Sequence, residues 1–141
     1  MSTSFTSDYL APSIDKKLSE ISSLGLAHIG DAVFELMART WLCLNGTSTA
    51  KRLHKGTVAL VSAKAQAAAM EAIMPMLCED EVTIFKRGRN THTNSVPKGC
   101  TLEEYHAATG LETLFGYLYL TGNSKRLNEL FEVVKGENYC L

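Results

Sequence analysis

Leu24-Gly25-Leu26-Ala27-His28-Ile29-Gly30-Asp31-Ala32-Val33-Phe34-Glu35-Leu36 sets a carboxylate, Asp31, inside an otherwise apolar stretch. Ile29, Val33, Leu36, Met37, Thr40, Trp41 and Leu44 recur at steps of three and four. That is the period of a helix with one buried face, and it predicts a helix running to about Asn45-Gly46. Asp31 would lie beside the buried stripe, where a lone charge costs several kcal/mol unless it is paired or binds a metal ion. A partner is expected.

A second apolar stretch with the same anomaly is Ala107-Ala108-Thr109-Gly110-Leu111-Glu112-Thr113-Leu114-Phe115-Gly116-Tyr117-Leu118-Tyr119-Leu120. It makes Glu112 the candidate partner. Gly30 sits beside Asp31, and Gly116 follows Glu112 by one turn. Glycine inside a helix costs about 1 kcal/mol, so two of them point to helices that cross too closely for a Cβ. The two carboxylates would then converge. Neither stretch contains a lysine or arginine, so the pair has the oxygen ligands of a hard divalent cation such as Mg²⁺. The alternative is that each acid is partly exposed and hydrogen-bonded to a tyrosine or a helix end. Glu35 is expected to face solvent or pair with a cation, and His28 to be a satisfied neighbour.

Around these stretches the chain reads as one all-α domain. Its 141 residues suffice for one core, and 45% hydrophobic with 21% charged residues is an ordinary globular balance. No apolar run reaches membrane-spanning length, and Met1-Ser2-Thr3-Ser4-Phe5-Thr6-Ser7-Asp8 does not read as a signal peptide, so a cytoplasmic protein with no membrane association is expected. Cys43, Cys78, Cys100 and Cys140 form no close pair and are expected as free thiols. No phosphate-binding glycine loop, nucleophile elbow or dinucleotide fingerprint occurs.

Residues 1–12 are expected as a flexible tail, 13–136 as the domain and 137–141 as a second tail. Ser13 or Asp15 would cap a short helix through Ile14, Leu18 and Ile21. Thr47-Ser48-Thr49 offers the next N-cap, before one or two helices broken near Gly56-Thr57 and stopped at Pro75. Glu79-Asp80-Glu81 suits a first helical turn, where acids face the positive end of the dipole. Residues 87–100 read as a surface loop. Thr101 with Glu104 forms a capping box for the Glu112 helix, and Leu127, Leu130, Phe131 and Val134 mark a last amphipathic helix.

The charge distribution says more than the net charge of −1. Residues 51–98 hold eight Lys/Arg against four Asp/Glu, net +4, whereas the rest hold six against eleven, net −5. A basic middle beside an acidic metal site is what a phosphodiester substrate requires. The alternative is that these are ordinary solvated charges, which is weakest for Arg87 and Arg89, joined by a glycine.

Several ordered motifs together resemble the bacterial mini-ribonuclease III family. They are Leu26 to Glu35, Leu53-His54-Lys55, Val61-Ser62-Ala63-Lys64-Ala65-Gln66-Ala67, Lys86-Arg87-Gly88-Arg89-Asn90, Pro97-Lys98, Ala108-Thr109-Gly110-Leu111-Glu112 and Gly116 to Leu120. The resemblance spans about residues 20–135. It implies a helical ribonuclease III catalytic domain without a double-stranded-RNA-binding domain, a homodimer that cleaves double-stranded RNA with Mg²⁺. The usual substrate would be the precursor of large-subunit (23S) ribosomal RNA. By position, Asp31 and Glu112 carry over as catalytic and metal-binding residues, and Arg87, Arg89, Asn90, Lys98, Lys64, His54 and Lys55 as RNA-binding ones. Full-length ribonuclease III has two further acids; here Ala27 and Thr109 occupy those positions. The rival reading is a non-catalytic RNA-binding or ribosome-assembly module that keeps the fold.

Overall fold

The computed structural model describes residues 8–14, 20–91 and 95–138. Helix α1, Ser23–Leu44, is opened by Ser22, whose hydroxyl accepts the Gly25 N–H at 2.9 Å. It ends at Asn45, with Gly46 beyond it at φ +86°, as the apolar period required. Thr49 caps α2, Ala50–Val61, and α3 follows as Ala63–Ile73.

The break between α2 and α3 falls at Ser62, not near Gly56-Thr57 as expected. Ser62 is extended (φ −60°, ψ 152°), donates its N–H to the Val58 carbonyl and accepts the Ala65 N–H on its hydroxyl. It therefore closes one helix and opens the next. Gly56 stays helical because it is a packing glycine: a Cβ there would stand 2.9 Å from a Leu42 methyl.

Pro75 lies in a 3₁₀ turn, Met74–Met76, before α4, Glu79–Arg89. Arg87 and Arg89 thus occupy the last turn of α4, which corrects the expectation that they sit on a loop. Gly88 misled that reading. It is buried against α5, Leu102–Leu120, where a Cβ would run into the Thr113 side chain and stand 3.0 Å from the Gly110 Cα. Thr101 and Glu104 form the expected capping box, at 2.9 and 3.0 Å. Helix α6, Ser124–Asn138, completes the chain as described. Among the described residues there is no strand, and the class is all-α.

Helix α5 is the centre of the bundle, apolar nearly all round and packed by α1, α3, α4 and α6. The core stacks Phe34 of α1 against Phe115 of α5 and Phe131 of α6, with ring centroids 5.2 and 5.9 Å apart. Where α1 crosses α5, Gly30 and Gly116 face each other. A Cβ on Gly30 would overlap the Glu112 carbonyl, and one on Gly116 would overlap that of Leu26. The inferred close crossing is present.

The helix expected through Ile14, Leu18 and Ile21 falls mainly on residues 15–19, outside the described ones, as does Cys140. Ile14 itself is buried against Leu26 and Leu120, and its N–H donates to the Leu120 carbonyl at 2.7 Å. Residues 8–12 lie beside α1 and the end of α5, with the Tyr119 hydroxyl donating to the Tyr9 carbonyl. Cys43, Cys78 and Cys100 are free thiols.

Candidate active site

Asp31 is on α1, at the turn whose glycine touches α5, and Glu112 is on the α5 residue whose carbonyl that glycine meets. Backbone contact thus brings the two side chains together. Asp31 is exposed and Glu112 half-buried, so the desolvation expected for Asp31 falls on Glu112 instead. Asp31 borders an open depression of about 410 Å³ with His28, Glu35 and Arg39. Glu35 pairs with Arg39 at 2.5 Å.

Burial pushes the Glu112 carboxyl up to about 8, helped by the Asp31 charge and by a hydrogen bond between the two carboxyls. One proton shared by two crowded acids is the behaviour of a like-charge pair in which both members cannot ionise together. Among the described residues no lysine or arginine forms an ion pair with either acid, and no group of three His, Cys, Asp or Glu side chains converges. The site therefore offers the oxygens of two carboxyl groups with no basic side chain paired to either. That donor set fits a hard divalent cation that keeps most of its waters.

Glu112 also lines a cleft of about 330 Å³ between α3, α5 and the segment before α5. Lys64 and Lys98 stand exposed on its walls, and Thr109, Cys100 and Gln66 complete the side near the carboxylate. Thr109 gives its hydroxyl hydrogen to the Tyr105 carbonyl at 3.0 Å, so it serves its own helix. Of the expected RNA-contacting residues, Lys64 and Lys98 meet at the acidic site. His54 and Lys55 are exposed on α2, and Arg87, Arg89 and Asn90 are exposed at the end of α4. Arg87 reaches the Ile21 carbonyl at 3.5 Å; Arg89 lies over the Phe85 ring at 5.6 Å and donates to Asn90.

Gln66 is the site residue that the sequence concealed. It is 1% exposed, and its Nε2 stands close enough to Glu112 to favour the charged carboxylate, yet it makes no well-aligned hydrogen bond. A buried amide hydrogen left unmatched costs about 1–3 kcal/mol. In the sequence it sits within an alanine run that reads as helix packing.

The helix crossing and the paired acids are thus one feature of an all-α bundle. The Ribonuclease III domain profile matches residues 24–123, and the chain belongs to that family. Curated proteins similar to the chain include several named Mini-ribonuclease 3. The Mini-ribonuclease 3 of Clostridium tetani is 42% identical over 83% of this chain and 78% of its own length. That of a Thermoanaerobacter species is 45% identical over 80% of each. A crystal structure of a Fusobacterium nucleatum protein superposes with a TM-score of 0.78 at 32% identity, covering 85% of this chain and 98% of that one. The chain is a mini-ribonuclease III-type endoribonuclease.

Proposed function

We propose that this endoribonuclease hydrolyses double-stranded RNA with Mg²⁺ held between Asp31 and Glu112, and that its substrate is the large-subunit ribosomal RNA precursor. The observation that carries the reading is the convergence of Asp31 and Glu112 beside a cleft bearing Lys64 and Lys98. Bound there, Mg²⁺ would activate a water for in-line attack on phosphorus and offset charge on the leaving 3′ oxygen. The protein's own part is to hold the RNA backbone and present the two carboxylates. Glu112 would give its proton to solvent water on taking up the cation, and Lys64 and Lys98 fix phosphates on the flank of the cleft. Products would carry 5′ phosphate and 3′ hydroxyl ends. Duplex RNA is gripped mainly through backbone and 2′-hydroxyl contacts, so sequence preference should be modest.

The reading includes a homodimer, since a duplex has two strands to cut and a two-fold axis supplies two symmetric sites. An apolar groove of about 470 Å³ beside Asp31 supports it, with Leu36 63% and Leu10 89% exposed at its edges. The reading places the enzyme in the cytoplasm; no helix among the described residues is long and apolar enough to cross a membrane. Incubating the protein with duplex RNA, with and without Mg²⁺, tests the proposal. Cleavage only with the cation supports it; binding without product in both cases would favour a non-catalytic RNA-binding module. Light scattering that finds a monomer at cutting concentrations would remove the dimer.

A further inference from the structure

Helix α3 packs on α5 and carries Gln66 in a run of alanines, of which Ala69 is buried with it. Gln66 is the one long polar side chain of that face, and it is buried. Such a group is normally matched inside the protein, but the Nε2 of Gln66 is not. It lines the cleft that Glu112 also lines. Glu112 is meanwhile drawn toward Asp31 by the hydrogen bond between the two acids.

We propose that Gln66 is a positioning residue for Glu112, its buried Nε2 holding one carboxylate oxygen so that the other is presented toward Asp31. The inference rests on the reading of Asp31 and Glu112 as the cation-holding pair. Buried beside Glu112 in the same cleft and otherwise unmatched, the Gln66 Nε2 is the donor placed to take one oxygen of that carboxylate. A carboxylate held at one oxygen loses rotational freedom before it binds. Groups that orient a metal-binding side chain in this way change cation affinity by about 10–100-fold when removed. Gln66 itself does not reach the RNA, so its removal should leave substrate binding alone.

The test uses Gln66→Met, which keeps length and volume but removes the amide, and Gln66→Glu, which places an acceptor against the carboxylate. Mn²⁺ binding is measured by calorimetry on RNA-free protein, and cleavage is followed across a Mg²⁺ series. Gln66→Met should bind Mn²⁺ about 10-fold more weakly and need about 10-fold more Mg²⁺ for half-maximal cleavage. KM for duplex RNA should be unchanged, kcat at saturating Mg²⁺ should return to within a few-fold, and the melting temperature should hold or rise. Gln66→Glu should be weaker still in Mn²⁺ binding. Unchanged cation dependence in Gln66→Met overturns the proposal. So does a lower melting temperature, which would mean that the amide holds the fold. If Glu112→Gln is fully active, the reading of the site fails first; if Glu112→Gln is dead and Gln66→Met is normal, only the role of Gln66 fails.

Discussion

Arg126 of α6 grips Glu81 of α4 through two parallel hydrogen bonds, Nε to Oε2 at 2.8 Å and Nη2 to Oε1 at 2.9 Å. The same Nη2 donates to the Met76 carbonyl at 2.6 Å, and Glu81 also accepts the Cys78 N–H. One guanidinium therefore ties the last helix to the 3₁₀ turn and to the start of α4. Removing it strands a buried carboxylate, so Arg126→Met should cost about 3 kcal/mol, seen as a loss of roughly 10 °C in melting temperature. The Arg126 hydrogen bonds hold the Glu81 carboxyl below its ordinary 4.5. Their stabilisation is present above that value and lost as pH falls through the lowered one. The gap between wild type and Arg126→Met should close in acid.

Gly30→Ala sets two effects against each other. Alanine favours a helix over glycine by about 1 kcal/mol, but its methyl would overlap the Glu112 carbonyl, a backbone atom that cannot turn aside. The clash wins, with a net loss of about 3 kcal/mol and a wider α1–α5 crossing. Chemical denaturation and cleavage assays should fall together. Stability equal to wild type would show that the helices are not in contact there.

If Asp31 and Glu112 hold the cation as proposed, Asp31→Asn or Glu112→Gln should abolish cleavage and leave most RNA affinity, because each removes a carboxylate at nearly constant volume. Glu112 also sets a pH signature. Its carboxyl titrates at about 8 in the fold against 4.5 unfolded, so between those values the unfolded chain binds fewer protons and stability declines as pH rises. Below 4.5 and above about 8 this group adds no slope. Glu112→Gln should lack the decline, so its advantage in melting temperature over the metal-free wild type should grow from near zero at pH 4.5 to its full size above pH 8. Parallel curves would refute the buried, crowded carboxyl.

RNA contact can be apportioned by salt. Each phosphate contact contributes about 0.9 to the slope of log K against log salt. Lys64→Ala with Lys98→Ala should flatten that slope by somewhat under two units and weaken unrelated duplexes by similar factors. Arg87→Ala with Arg89→Ala should act likewise if the end of α4 touches RNA. If these arginines only serve the Ile21 carbonyl and the Phe85 ring, melting temperature falls and the slope stays. Measuring both on each double variant separates the two roles.

The fold and the acidic pair were legible because a charge and a glycine inside an apolar helical period each carry a cost that only tertiary contact explains. Three features were not. Gly88 stands among basic and polar residues, so its contact with Gly110 and Thr113 looked like a loop signal. Ser62 lies inside a continuous helix-forming run, and its double cap depends on backbone angles that composition does not reveal. Gln66 breaks no pattern, since a glutamine among alanines suits any exposed helix. Its importance arises only from Glu112, more than forty positions away in the chain.

The meeting of Gly30 with Glu112 and of Gly116 with Leu26 is a contact of main chain with main chain. The gauge between the two acids is therefore set by covalent geometry and not by the fit of side chains around them. Core residues of α6 such as Leu127, Leu130 and Val134, which belong to neither crossing helix, can be exchanged for others of similar bulk, altering how firmly the bundle stands without resetting that gauge. A chemist who wishes to harden this enzyme against heat thus has the far core to rebuild freely, and two glycines to leave alone.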